Sequence, residues 1–299
     1  MTKSLVDNEN FFYYSYYRKS VCLNESKQIG SNYFFKIKLL RNEVIMSNAI
    51  QIGPITIYMY GLMMGMGFIS AYLVSDYRAK KRGMDTGIIF GILWCAIIGG
   101  LLGARVLYYI VELPSIFKDP SILWDFGTGY VVYGGIIGGV VGSYFYCRKK
   151  KVHFIEYFDL VMPSVALAQG FGRIGCTFAG CCYGRETTLP IGIIYHTSEV
   201  APNGVKLLPT QPVSSAGDFL FAAILFLYAR KKRTNGKVAA LYLILYSVGR
   251  FIIEFFRNDY RGSIGVLSTS QLISIFILVL GIVLYCLAAR GTFEKNEAV

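Results

Sequence analysis

Long apolar segments recur along the chain and alternate with short polar segments that are rich in lysine and arginine. A helix needs about 20 apolar residues to cross the hydrocarbon core of a bilayer. Seven segments come close to that length, and we predict membrane-spanning helices at residues 54–75, 88–111, 131–147, 157–175, 214–229, 238–256 and 270–289. The fifth contains a charged residue, Asp218, near its start. The pattern predicts an all-α membrane protein, a polytopic bundle of about seven transmembrane helices.

The composition and the placement of charge agree with this prediction. Of the 299 residues, 54% are hydrophobic and 16% are charged, whereas a soluble domain carries about 25% charged residues. Basic clusters follow the first, third, fifth and seventh predicted spans, at residues 78–82, 148–151 and 230–233 and at Arg290. This alternation predicts an N-terminus outside the membrane and a cytoplasmic C-terminus. Because the net charge of +12 is divided among separate helix ends, nucleic acid is not an expected partner.

Residues 1–45 do not follow this charge pattern, because they contain several lysines and arginines on the side predicted to lie outside. Two interpretations are open: a disordered N-terminal extension, or a segment upstream of the true start at Met46. In either case, residues 46–299 are predicted to form the seven-helix transmembrane domain.

The segment at residues 169–185, QGFGRIGCTFAGCCYGR, places Arg173 among five glycines at the end of the fourth predicted span. Arginine at membrane depth costs about 2.5–3.5 kcal/mol on insertion scales and usually faces a bundle interior or a wet cavity. Its planar guanidinium is suited to bidentate binding of a phosphate or a carboxylate. The pattern predicts a site for an anionic lipid headgroup.

The sixth predicted span contains a second set of polar residues. Tyr246, Arg250 and Glu254 are spaced four apart and therefore share one helix face. Arg257 is expected to extend that face toward the outer interface. Glu254 can neutralise Arg250, either as a structural ion pair or as part of a substrate path, and we favour the substrate path.

Other polar positions lie near the outer ends of spans two and three. Arg105 follows a run of small residues, and Tyr133 precedes Gly134 and Gly135. For the glycines alone, close helix packing is the simplest interpretation. Tyrosine is common at membrane interfaces, so position alone does not assign a role to Tyr133.

Three cysteines, Cys176, Cys181 and Cys182, cluster near the predicted outer face. Zinc sites usually combine paired cysteines with a second pair of cysteines or histidines. The chain has only His153 and His196, and the topology places His153 on the inner side. We therefore predict no metal and no cofactor. A redox dithiol lacks its usual C-x-x-C spacing, and small-residue packing or an outer-face disulfide is favoured.

Three blocks of the sequence resemble the prolipoprotein diacylglyceryl transferase family of bacterial inner membranes. They are IGPITIYMYGLMMGMGF at residues 52–68, the GRIG motif with its following Phe and Gly at residues 172–184, and YSVGRFIIEFFR at residues 246–257. The resemblance implies a multi-pass protein of the bacterial cell membrane. It also implies transfer of a diacylglyceryl group from phosphatidylglycerol to the lipobox cysteine of a prolipoprotein signal peptide.

The resemblance also implies roles for individual residues. Arg173 and Arg250 would grip the lipid phosphate, with Tyr246 and Tyr133 beside the reacting groups. Further residues at family motif positions are expected to bind substrate: Glu254, Tyr60, Arg105, Arg257, Gly134, Gly135 and Gly184.

The sequence departs from the family pattern at several positions. Tyr133 stands where the family usually has histidine, and a hydroxyl with a pKa of about 10 is a poor base at neutral pH. Cys176, Ala179 and Cys181 stand where the family signature has Asn, Asn and Glu. Two alternatives stay open: a lipid-binding paralogue that has lost catalysis, and a membrane thiol oxidoreductase that uses Cys176, Cys181 and Cys182.

Overall fold

The computed structural model describes residues 49–52, 54–125, 129–259, 263–264 and 267–294. The predicted extension at residues 1–45 lies outside them. Most of the described chain is helical. The α-helices are α1 Met59–Lys81, α2 Thr86–Val111, α3 Leu113–Lys118, α4 Val132–Lys149, α5 Phe154–Ala179, α6 Thr210–Tyr228, α7 Lys237–Glu254 and α8 Thr269–Ala289. By length and composition, α2, α6 and α8 are long and apolar enough to cross a membrane.

Each predicted span overlaps one long helix, but two boundaries differ. The first helix begins at Met59, because residues before it form an antiparallel hairpin of β1 Ala49–Ile52 and β2 Ile55–Tyr58. The three consecutive β-branched residues of β2, Ile55, Thr56 and Ile57, favour a strand over a helix. The helix of the fourth predicted span, α5, continues to Ala179. It ends where Gly180 adopts a φ of 70°, a left-handed conformation that glycine adopts without strain.

Shorter elements connect the long helices. A 3-10 helix, Pro120–Trp124, follows α3, and two further hairpins pair β3 Ile193–Ile194 with β4 Lys206–Leu207 and β5 Ser263–Ile264 with β6 Leu267–Ser268. The β3–β4 hairpin contributes Ile193 and Leu207 to a small apolar core of its own. The long segment after α5 is therefore folded and packed.

Helix α5 takes part in both of the larger apolar cores. Tyr157 and Leu160 pack with residues of α1, α2 and α4, whereas Met162 and Ala166 pack with α6 and α7. A side chain near the end of α5 is consequently held by neighbours on two sides. This arrangement positions Arg173.

Helices α2 and α4 approach each other through glycine. A Cβ atom added to Gly99 would lie 2.5 Å from the carbonyl oxygen of Gly138, and one added to Gly103 would overlap the carbonyl of Gly134. The two backbones are in direct contact, as small-residue helix interfaces allow. The packing interpretation of these glycines is consistent with this geometry.

A buried carboxylate of α5 caps α7. The Asp159 side chain accepts hydrogen bonds from the backbone N–H groups of Gly236, at 2.7 Å, and Ala239, at 2.8 Å. An acidic group at a helix N-terminus satisfies free N–H groups and interacts favourably with the helix dipole. The contact fixes the start of α7 relative to α5, and hence Arg250 relative to Arg173.

Candidate active site

The larger of two neighbouring cavities has a volume of about 580 Å³ and is lined by α1, α2, α4, α5, α7 and the segment after α5. Its walls are apolar where α1 and α2 face it. Its polar lining includes Tyr60, Tyr133, Gln169, Arg173, Tyr246, Arg250 and Arg257. The cavity therefore combines an apolar wall with several cationic and hydroxyl groups, as ligand sites commonly do.

A second cavity of about 190 Å³ lies between α5, α6 and α7. It is lined by Arg173, Tyr246 and Arg250, which also line the larger cavity, and by Asp218. The three shared side chains form the boundary between the two cavities. Motif residues from α5 and α7 are thus brought together although they are more than 70 positions apart in the sequence.

Of the three side chains that line both cavities, Arg250 has the most polar contacts with its neighbours. Its Nη1 lies 2.6 Å from Glu254 Oε2, and its Nη2 donates to the Ser270 hydroxyl at 2.8 Å. Glu254 Oε1 in turn accepts a hydrogen bond from the Ser268 hydroxyl at 3.0 Å. The ion pair expected from the i, i+4 spacing is present, and its burial makes the orientation of the guanidinium well defined.

Arg257 lies beyond the end of α7, and not on its helical face as the spacing predicted. The helix ends at Glu254, and Arg257 forms a β-bridge with Gly184. Its guanidinium binds Asp259 through two hydrogen bonds of 2.8 and 2.5 Å. Arg257 still reaches the cavity wall, because this bridge turns the chain back toward the segment that follows α5.

Arg173 faces a carboxylate on the neighbouring helix. Its Nε lies 3.8 Å from Asp218 Oδ2, and the two side chains retain 25% and 10% of their surface exposure. Arg173 therefore remains accessible to a ligand from both cavities. From the sequence, Asp218 was noted only as a charge near the start of a predicted span. An acidic residue within an apolar helix could have marked it as a candidate site residue.

Arg105 occupies a different location from the other predicted residues. It is buried, and its guanidinium donates to the Tyr109 hydroxyl at 2.8 Å and to the Asp125 carbonyl at 2.7 Å. Further carbonyls at Ile122 and Gly129 lie within 3.3 Å. These contacts hold the connection between α3 and α4, and Arg105 does not line either cavity. Its substrate-binding role stays a prediction without geometric support.

The three predicted glycines lie in packed positions. Gly134 and Gly135 contact the backbone of α2, and a Cβ at Gly184 would lie 2.6 Å from the Leu208 carbonyl oxygen. None of them lines either cavity. Because they have no side chain, neighbouring backbones can approach them closely. They therefore help to pack the elements that form the cavity walls without lining the cavities themselves.

Three thiols also face the larger cavity. The ligand atoms of Cys176, Cys181 and Cys182 all lie within 4.8 Å of one another. Behind them, the Gln211 amide donates to the Cys181 carbonyl at 2.9 Å, and the Thr210 hydroxyl donates to the Cys182 carbonyl at 2.9 Å. The start of α6 therefore supports the turn that carries the thiols.

Tyr195 reinforces this support. Its hydroxyl donates to the Thr177 carbonyl at 3.1 Å and accepts a hydrogen bond from the Gln211 amide at 3.1 Å. Burial raises the pKa of Tyr195 to about 12. The hydroxyl keeps its proton at neutral pH and can act as donor and acceptor at once. No sequence pattern indicated Tyr195, because it lies just after the short strand β3 and outside the motifs.

A sequence model of the family described as prolipoprotein diacylglyceryl transferase matches residues 47–287. The chain belongs to this family. The match covers the helices that carry both arginines, and also the turn after α5 that carries Cys181 and Cys182.

Several members of the family are similar to this chain over nearly their whole length. A phosphatidylglycerol–prolipoprotein diacylglyceryl transferase of Clostridium tetani is 50% identical over 229 residues, 77% of this chain and 92% of that protein. Phosphatidylglycerol–prolipoprotein diacylglyceryl transferase 2 of Clostridium perfringens is 50% identical over 249 residues, 83% of this chain and 97% of that protein. A relative of the same description from Finegoldia magna is 36% identical over 251 residues, 83% of this chain and 98% of that protein. Family membership is therefore established by nearly full-length similarity.

Proposed function

We propose that the chain transfers the diacylglyceryl group of phosphatidylglycerol to the lipobox cysteine thiol of bacterial prolipoproteins. The names of the relatives support both substrates. The reaction forms a thioether between the cysteine sulfur and a glyceryl carbon, and glycerol phosphate leaves. The observation that carries the proposal is the position of Arg173 and Arg250 on the boundary of two cavities.

The two arginines suit the charge changes of this reaction. The donor is a phosphodiester with one negative charge, and the leaving glycerol phosphate is a monoester that gains negative charge as the carbon–oxygen bond breaks. Fixed guanidinium groups aimed at developing charge lower the barrier because they need little reorganisation during the reaction. Arg250, held by Glu254 and Ser270, is oriented in advance.

The apolar part of the larger cavity suits the acyl chains of the donor. Phe68 of α1 and Ile89, Ile92 and Leu93 of α2 line this part. Lipid tails are as apolar as these side chains, so the acyl chains could pass from the bilayer into the cavity without exposure to water. The polar headgroup and the acyl chains would therefore occupy opposite ends of one cavity.

The proposed topology has seven crossings, with the start of α1 outside and the end of α8 in the cytoplasm. Basic residues near the C-terminal ends of α1 and α4 support it, among them Arg78, Lys81, Arg148 and Lys149. Such clusters favour the cytoplasmic side. A membrane-impermeant thiol reagent tests the proposal on single-cysteine variants. The Lys151→Cys variant should react only after the cells are permeabilised.

A lipidation assay tests the function. The purified chain is incorporated into phosphatidylglycerol vesicles at neutral pH, under reducing conditions, with a lipobox peptide. The peptide should gain the mass of one diacylglyceryl group, and the same peptide with serine in place of its cysteine should gain none. If lipid binds but the cysteine peptide stays unmodified, the chain is a lipid-binding paralogue and not a transferase.

A further inference from the structure

Backbone geometry brings the three cysteines of the larger cavity together. Cys176 lies in the last turn of α5, and the chain reverses through Gly180 before it reaches Cys181 and Cys182. Cys182 itself has a φ of 62°, a left-handed conformation that residues with side chains seldom adopt. This reversal returns the second and third thiols to the first, which the C-x₄-C-C spacing alone did not reveal.

The spacing of the sulfur atoms fits a thiolate-bound metal. Zinc binds thiolates at about 2.3 Å in a tetrahedron, so neighbouring sulfurs lie about 3.8 Å apart. The three thiol sulfurs already lie within 4.8 Å of one another, and side-chain rotation alone can supply the difference. Support from Thr210 and Gln211 holds the backbone carbonyls of the turn and limits its movement, as groups behind a metal site commonly do.

The surrounding charge favours such a complex. Three thiolates and one Zn²⁺ carry a net charge of −1. Arg173 and Arg257 line the same cavity as the three thiols. Each guanidinium also faces a carboxylate, Asp218 for Arg173 and Asp259 for Arg257, so the two arginines would offset the negative charge of the complex in part.

We propose that Cys176, Cys181 and Cys182 bind Zn²⁺ as a three-thiolate site, and that the fourth coordination position receives the thiol of the prolipoprotein. This inference rests on the proposed function. Three protein ligands with one open position are typical of catalytic zinc, whereas structural zinc has four protein ligands. The open position faces a cavity that also contains Arg173 and Arg250.

A zinc ion at this site would provide a way to deprotonate the substrate thiol. A free cysteine has a pKa of about 8.5 and is mostly protonated at neutral pH. Tyr133, which stands at the family's histidine position, is a poor base. A thiol that coordinates a metal ion is deprotonated outright, so the metal would generate the nucleophile without a histidine.

The resulting step is balanced. The substrate thiol loses its proton on binding to zinc. Its sulfur then forms a bond to the glyceryl carbon while the bond from that carbon to the phosphate oxygen breaks. The electron pair of the broken bond stays on the leaving glycerol phosphate, which takes up the released proton through water. Zinc changes neither oxidation state nor its three protein ligands.

Metal binding is measured first, without any substrate. The full chain, purified after growth with zinc, should contain one zinc ion per chain. Exchange for Co²⁺ should produce the sulfur-to-cobalt charge-transfer bands of thiolate ligation. Single Ser variants of Cys176, Cys181 and Cys182 should each lose most of the bound metal, whereas Cys286→Ser, in an exposed position on α8, should retain it. Absence of stoichiometric metal and of these bands in the wild-type chain overturns the site.

The role in transfer is measured separately. Addition of a lipobox peptide to the Co²⁺ form should shift its d–d bands toward those of four-thiolate cobalt, and a serine peptide should not. Removal of the metal should lower lipidation at least about 100-fold, with recovery on addition of Zn²⁺. Undiminished lipidation by the metal-free chain overturns the inference and leaves the proposed function intact. Bound metal and a peptide-dependent shift without any lipidation would retain the site and refute the proposed function.

Discussion

The Nε atom of Arg173 on α5 lies 3.8 Å from the Oδ2 atom of Asp218 on α6. The separation is too long for a hydrogen bond, so the carboxylate steers the guanidinium without occupying its donors. Arg173 can therefore offer its N–H groups to a ligand in either cavity. Asp218 belongs among the groups that position the site.

We expect Asp218→Asn to lower kcat/KM for phosphatidylglycerol about tenfold, which corresponds to about 1.4 kcal/mol. The amide keeps the shape of the side chain but removes its attraction for Arg173. Asp76→Asn is the matched control, since Asp76 forms an ion pair with Lys80 in the last turns of α1. Equal activity of the Asp218 variant and the control would refute a positioning role.

Arg250→Lys should lower lipidation at least about 100-fold. The guanidinium contacts Glu254 and Ser270 together, and a lysine ammonium cannot reproduce this planar geometry while also binding phosphate. Initial rates in vesicles measure the loss. Arg230→Lys, at an exposed site after α6, should keep the wild-type rate; wild-type turnover in the Arg250 variant would contradict the phosphate clamp.

Tyr133→Phe separates two ways of activating the substrate thiol. Tyr133 lines the larger cavity and is 38% exposed. If the thiolate is generated elsewhere, removal of the hydroxyl should lower kcat less than tenfold and leave the pH profile unchanged. Abolished activity would instead assign activation of the thiol to this hydroxyl. Activity that appears only in Tyr133→His would identify the natural chain as a lapsed enzyme.

Gly138→Ala should destabilise the protein by about 1–3 kcal/mol, as overpacking commonly does. Its Cβ would overlap the carbonyl oxygen of Gly99 and force α2 and α4 apart. Thermal unfolding in detergent measures the change. Gly65→Ala is the control, because a Cβ at that helical position meets no atom within 4 Å; a Gly138 variant as stable as this control would refute direct backbone contact.

Removal of residues 1–45 should leave membrane insertion and lipidation unchanged. The family match begins at residue 47, and the removed residues carry basic charge on the side predicted to be outside. Membrane fractionation and the vesicle assay measure the two properties. Loss of membrane-inserted protein from a chain starting at Met46 would show that the segment contributes to insertion.

Sequence reasoning located the long helices because each contains an extended apolar run, a signal that does not depend on tertiary contacts. It selected Arg173 and Arg250 because an arginine within a membrane span is energetically unfavourable and usually marks a functional site. The helix boundaries were harder to predict from the sequence. The strand before Met59 depends on its pairing with another strand, and no local sequence pattern specifies that pairing.

Arg105 and the three clustered cysteines show a second limit. Arg105 resembled Arg173 in sequence, since both follow small residues, yet only one faces a cavity. The path of a connecting loop decides which of these two arginines meets backbone carbonyls. The proximity of the three thiols could not be predicted for a related reason, because it depends on the turn that reverses the chain after α5 and not on a familiar cysteine spacing.

The cavity arginines are individually balanced by carboxylates. Each has one within 3.8 Å in the described chain: Arg173 with Asp218, Arg250 with Glu254, and Arg257 with Asp259. A neutral cluster attracts an anionic lipid less strongly than three uncompensated cations would. The donor is a component of the bilayer and needs no tight capture, while strong binding of glycerol phosphate would delay its escape. The pairing thus favours fast product release at the expense of affinity for the donor.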